Sequence, residues 1–203
     1  MTTPMPIYTA FAGHALLAAG PLAEVALAAR RAADGDAGAA VFIYEDATGR
    51  AIDVDTRGTD AEIVAPLPLP LPTPVEPEAE PEGSPARPRG RGRPRLGVVA
   101  REVTLLPRHW DWLAGQPGGA SVALRKLVEQ ARREHAGADA LRRGRDAAYT
   151  FMSAAAGNLP GFEEAVRALY AGDAERLAAH MAGWPADVRA YALRLAGAAD
   201  LPA

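Results

Sequence analysis

The chain has 203 residues, 49% of them apolar, and a formal net charge of −3; this is apolar material enough for one ordinary folded unit or two small ones. It holds no cysteine, which excludes disulfides, thiolate nucleophiles, iron–sulfur clusters and the usual structural zinc sites. No stretch reaches the roughly 18 uninterrupted apolar residues of a membrane span, and the N-terminus lacks a basic region followed by a long apolar run, so a cytoplasmic protein with no cofactor and no membrane contact is expected.

The net charge conceals segregation along the chain. Residues 1–85 carry 4 basic and 13 acidic side chains, residues 86–145 carry 14 and 5, and residues 146–203 carry 4 and 7. A central basic block between two acidic flanks is an electrostatic footprint for a polyanion, or else a solvated surface neutralised by the protein's own acidic segments. Of the 22 basic residues, all but Lys126 are arginine.

In chain order, residues 1–64 read as a small α+β unit. Short apolar runs around Gly13, between Ile7 and Leu17, predict a strand pair, and Leu22, Val25, Leu27 and Ala29 give Pro21–Ala33 helical spacing. Val41–Tyr44 and Ala51–Val54 then predict two strands joined by an acidic, Gly-containing connection at Glu45–Arg50. From residue 65 to 86 proline recurs at almost every second position, and proline fixes φ and lacks an amide donor. The segment is expected to be an extended spacer, polyproline-II-like, with about 3.1 Å of reach per residue. Its alternating Glu76, Glu78, Glu80 and Glu82 suggest an acidic run that folds over the arginines that follow and competes with phosphate.

Residues 87–96 read Arg-Pro-Arg-Gly-Arg-Gly-Arg-Pro-Arg-Leu. Glycine and proline keep such a backbone narrow and extended, so that it can lie in a minor groove with arginines along the floor. A narrow A·T tract deepens the negative potential there, and the exocyclic amine of guanine would obstruct the same floor. The core Arg91-Gly92-Arg93-Pro94, flanked by Arg87, Arg89 and Arg95, resembles an AT-hook, which implies A·T-rich double-stranded DNA as partner.

Residues 97–135 read as strand (Arg101–Pro107), helix (Arg108–Ala114), Gly-rich turn (Gln116–Ala120) and a second helix (Ser121–Glu134). In the second helix Leu124, Leu127, Val128 and Ala131 form one apolar stripe, and Arg125 and Lys126 begin its basic side. Of Trp110 and Trp112, two apart on a helix, one is expected to be buried and the other partly exposed. With its strand ending in Leu-Pro, its Trp-Leu helix and Ser121-x-x-Leu124-Arg125-x-Leu127-Val128, this segment resembles a ribbon-helix-helix domain. In that family two chains pair their strands into an antiparallel ribbon that enters the major groove, and the second helix presents its N-terminus to a phosphate. The resemblance implies a homodimer, makes Thr104 a ribbon position with Arg101 in the opposite phase, and makes the amides near Ala120 and Ser121 a phosphate clamp with Arg125 on the same helix. The ribbon then either reads bases or serves only to dimerise. Over its whole length the chain also resembles an uncharacterised bacterial family, most recognisably in GRPRLGVVAREVTLLPRHWDWLAGQPGGASVALRKLVEQARRE, which implies no function.

Residues 136–203 are alanine-rich and predict a helical bundle broken at Gly157–Pro160, Gly172-Asp173 and Gly183–Pro185. Asn158 and Asp173 sit where N-caps belong, and Pro160 and Pro185 suit a first helical turn. Phe151, Phe162, Leu169, Tyr170, Leu177, Met181, Trp184, Tyr191 and Leu195 are its expected core.

No Gly-x-Ser-x-Gly elbow, phosphate loop, HExxH or dinucleotide fingerprint occurs, and His14, His109, His135 and His180 are scattered without partners at ligand spacing. The expectation is therefore an α+β protein that is not an enzyme: a DNA-binding regulator or nucleoid-associated protein. The alternative is a protein-interaction or antitoxin-like adaptor that uses the same segment.

Overall fold

A computed structural model describes residues 7–35, 40–67 and 101–198. The chain folds as α+β in two compact units. Residues up to 71 together with those from 136 onward form the first, and 72–135 form the second.

In the first unit β1 (Tyr8–Ala12) and β2 (Ala15–Gly20) make a hairpin whose tight turn uses Gly13 at φ +56°. β3 (Val41–Glu45) pairs with the other side of β1, and β4 (Arg50–Ile52) closes an antiparallel sheet of order β2-β1-β3-β4. Between β2 and β3 runs α1 (Leu22–Gly35), whose Val25, Ala26 and Ala29 are spaced to lie on one buried side. Val25 and Ala29 pack with Ala10 and Ile43 on one face of the sheet. Successive strand residues point to opposite faces, so Thr9 and Phe11 look the other way, and all three central residues of β1 are buried. α2 (Asp60–Val64) follows, started by a capping box in which Thr59 and Glu62 satisfy each other's backbone amides.

The face of β1 and β3 opposite α1 is covered by the C-terminal helices. These are the end of α4 (Gly119–Ala155), then α5 (Phe162–Ala171), α6 (Ala174–His180) and α7 (Ala186–Leu195). Phe11 lies 5.4 Å from the Tyr191 ring, Tyr44 lies 4.9 Å from Phe151, and Phe151 lies 4.5 Å from Tyr191, in edge-to-face or tilted contacts. Met152, Leu169, Leu177, Met181, Trp184 and Val188 complete the same core. The sequence separates residues 1–64 from 136–203; in the fold they share one core, because the sheet's second face has no other cover.

Three local features differ from expectation. Tyr170 is 45% exposed rather than in the core, since it stands about 100° round α5 from buried Leu169. α5 begins at Phe162 after Gly161, which adopts φ +79°, so Asn158 is not its cap and Pro160 lies outside it; the Pro160 carbonyl instead accepts the Trp184 indole N–H at 2.8 Å. Pro185 immediately precedes α7 rather than lying within its first turn. Asp173 does cap α6, accepting the Arg176 amide at 3.0 Å.

Candidate nucleic-acid interface

The second unit is built around α3 (Pro107–Ala114) and the first part of α4. Pro107 occupies the first helical position, where its missing amide costs nothing, and the Leu106 carbonyl accepts from the amides of His109 and Trp110. The turn that follows is held by the Gln116 side chain on the Trp112 carbonyl and by the Gly119 amide on the Gln116 carbonyl. Gly118 and Gly119 adopt φ +87° and +75°, backbone that L side chains rarely adopt, which is why the turn needs a glycine pair.

α4 starts at Gly119, so Ala120 and Ser121 fall in its first turn. Amides there have no preceding helical carbonyl to bond, and the helix dipole adds partial positive charge. Ser121 and Arg125 are exposed and Ala120 is half-buried. Among the described residues Arg101, Arg125 and Lys126 enter no ion pair, whereas Arg132 and Arg133 both reach Glu129. Arg101 and Thr104 are exposed as well. Arg87, Arg89, Arg91, Gly92, Arg93, Pro94 and Arg95 lie outside the described residues, as do Glu76, Glu78, Glu80 and Glu82.

Residues 101–106, expected as a strand, are not one in the single chain. Leu106 has extended dihedrals (φ −67°, ψ 149°), but a strand also needs a mate to bond its amides and carbonyls, and this segment has none among the described residues. Nor is one tryptophan buried: Trp110 is 40% and Trp112 55% exposed. Val103, Leu106, Leu127 and Val128 are similarly open, and only Leu113 and Ala123 of this segment are buried. A 35-residue helix pair is too small to build its own core. The order extended segment, helix, Gly-rich turn, helix is therefore present, and its apolar stripe is uncovered.

Elsewhere, in the first unit, an open concavity of about 520 Å³ is lined by Asp55, Arg57, Gly58, Glu62 and Pro66. Arg57 donates from its side chain and its backbone amide to Asp55 and holds that carboxyl at about 2, so it stays ionised at neutral pH and is no proton donor. Among the described residues no group of three or more His, Asp or Glu side chains is placed to hold a metal ion, and no helix is long and apolar enough to cross a membrane.

One polar cluster was not visible in the sequence. The Asp46 carboxylate accepts from the Thr9 hydroxyl, the Tyr191 hydroxyl and Arg194, at 2.8, 2.8 and 2.7 Å, and the Arg194 guanidinium also lies over the Tyr191 ring. Arg194 also donates to the Thr9 hydroxyl at 3.3 Å, so the cluster reads as a structural tie between β1, the β3–β4 turn and α7.

Residues 7–196 match the family described as an uncharacterized protein conserved in bacteria (DUF2239). The chain is a member of that family. The DUF2239 match runs from β1 to the end of α7, so the sheet, the 101–135 segment and the C-terminal helices all fall inside the family's span. No curated protein and no solved structure matches this DUF2239 chain.

Proposed function

We propose that this DUF2239 protein binds double-stranded DNA as a homodimer and acts as a transcriptional regulator or nucleoid-associated protein. The arginines from Arg87 to Arg95 supply A·T-preferring minor-groove contact, and two copies of the 101–135 segment pair in the manner of a ribbon-helix-helix domain. The observation that carries this reading is the uncovered apolar stripe of that segment. Val103, Leu106, Trp112, Leu127 and Val128 stay about half exposed, next to an extended stretch and to Arg101, Arg125 and Lys126, none of which has a strand or ion-pair partner among the described residues. A second copy would supply both missing elements at once: a mate for the backbone of 101–106 and a cover for the stripe. In that arrangement the first-turn amides of α4, at Ala120 and Ser121, are available to a phosphate, with Arg125 one turn further on.

The exposed tryptophan pair favours a second reading, an adaptor that docks a protein partner through Trp110 and Trp112, since aromatic residues are enriched at interface hot spots.

Fluorescence anisotropy on A·T-rich and G·C-rich duplexes at two salt concentrations separates the two. The wild-type protein is expected to prefer A·T and to weaken steeply with salt. Arg91→Ala/Arg93→Ala is expected to weaken binding, to erase most of the A·T preference and to lower the slope of log affinity against log salt by about 2, one for each cation no longer displacing a counterion from the duplex. Absence of binding even at low salt would end the DNA reading and leave the adaptor.

A further inference from the structure

On the first unit, among residues given no functional role above, an aromatic patch stands open on α4 and α5. Leu141, Arg145 and Tyr149 follow one another at four-residue intervals along one side of α4. Leu141 is 63%, Tyr149 40% and Tyr170 45% exposed. Tyr149 and Tyr170 meet edge to face at 5.7 Å, and the Arg145 guanidinium lies 5.9 Å from the centre of the Tyr170 ring. Burial first, and then the charge of Asp146 close by, raise the Tyr170 phenol above its ordinary range.

We propose that this Leu141–Tyr149–Tyr170 patch is a self-association surface whose partner is the same patch on a second copy of the chain. Two observations bear on that occupant, and the size of the patch sets the strength of the contact. The two rings and the guanidinium hold one another before any partner arrives, so little side-chain freedom is lost on docking. Charge in the patch is balanced: Arg145 stands beside Asp146, and Arg142 is tied to Asp139 at 2.6 Å. A surface with both signs and exposed rings is complementary to its own two-fold copy, whereas a nucleic acid calls for a surplus of positive charge. Finally, three partly exposed side chains offer far less than the ~1,000 Å² of a durable interface, so the contact is weak and counts only where copies are concentrated. On the DNA-binding reading, neighbouring dimers on one duplex would be joined in this way; the self-association itself does not depend on that reading.

Sedimentation velocity of the full chain over a rising concentration series tests this, with Tyr149→Ser/Tyr170→Ser and, as a single exposed change that leaves the rings in place, Leu141→Glu. Circular dichroism checks that each variant is folded. The wild type is expected to show a reversible, concentration-dependent rise in mass above its smallest species. Both variants should shift that rise to at least about tenfold higher concentration, the loss typical of removing an interface anchor. Their affinity for an A·T-rich duplex at high dilution should be unchanged. A wild-type mass independent of concentration, or a rise that neither variant shifts, overturns the proposal. Loss of duplex affinity in the tyrosine variant also overturns it, making the rings a base-stacking contact. If no duplex binds but the mass rise persists and depends on Tyr149 and Tyr170, the DNA reading fails and the self-association stands.

Discussion

Tyr191, on α7, is buried against Phe11 of β1 with its hydroxyl on the Asp46 carboxylate, and both circumstances oppose its ionisation. Burial is the larger cause and the negative charge of Asp46 the next, so the phenol titrates well above its ordinary 10 in the folded protein. The linkage has a definite sign. The folded state holds this proton more tightly than the unfolded one, so its contribution to stability is whole below pH 10 and is lost as pH rises beyond it. Urea denaturation of wild type and Tyr191→Phe at pH 7 and pH 11 is the check. The variant is expected to lose about 1 kcal/mol at pH 7, the net worth of one hydrogen bond, and to fall less than the wild type between the two pH values. Tyr44, raised by burial alone, leaves the variant some alkaline sensitivity. None of this could be read beforehand. Asp46 stands 37 positions from Thr9, 145 from Tyr191 and 148 from Arg194, and no local spacing announces a carboxylate that will be shared among them.

Single elements were far more legible. The β1–β2 and β3–β4 pairs follow from short apolar runs interrupted at Gly13 and Gly49, and the positive φ of both glycines, +56° and +67°, shows why those residues stand there. A Cβ on Gly49 would overlap the Ala147 carbonyl oxygen of α4, so that turn also needs glycine for close approach. Asp173 was recognisable as a cap from its position after Gly172, and Asp173→Ala is expected to cost about 1 kcal/mol, seen as a lower thermal midpoint with the helix signal of the folded state retained. The Thr59-x-x-Glu62 signature of α2 was present in the sequence, but a five-residue helix carries too little periodicity to stand out. The sequence divides this stretch into a helix over Ser121–Glu134 and a helical region from residue 136, yet α4 runs unbroken through Gly137 for 37 residues. One exposed glycine weakens a helix by about 1 kcal/mol, which a long run of alanine and arginine easily outweighs.

At the scale of the molecule, the main surprise is that the two ends of the chain share a core. Phe11 and Tyr44 from the sheet and Phe151 and Tyr191 from the helices form one aromatic cluster, so neither end can bury its apolar face alone. Removing residues 136–203 is therefore expected to leave residues 1–67 unable to hold a compact sheet. Dye binding to exposed apolar surface should rise, and the cooperative thermal transition should be lost; a cooperative transition in the truncated chain would refute the shared core.

Composition, charge segregation, glycine and proline placement and short-range periodicity were enough to determine the α+β class, the basic centre, the breaks between the C-terminal helices and the bacterial family, because each depends on residues near one another in sequence. Which face meets which was decided only by the tertiary structure. A strand or helix states that it has an apolar side, but not what will cover it: for β1 the cover lies some 140 to 180 positions away, and for the stripe at 124–131 none is found among the described residues. The expectation that one of Trp110 and Trp112 is buried failed for the same reason, since helical phase fixes their relative directions while burial depends on a partner surface that the spacing does not encode.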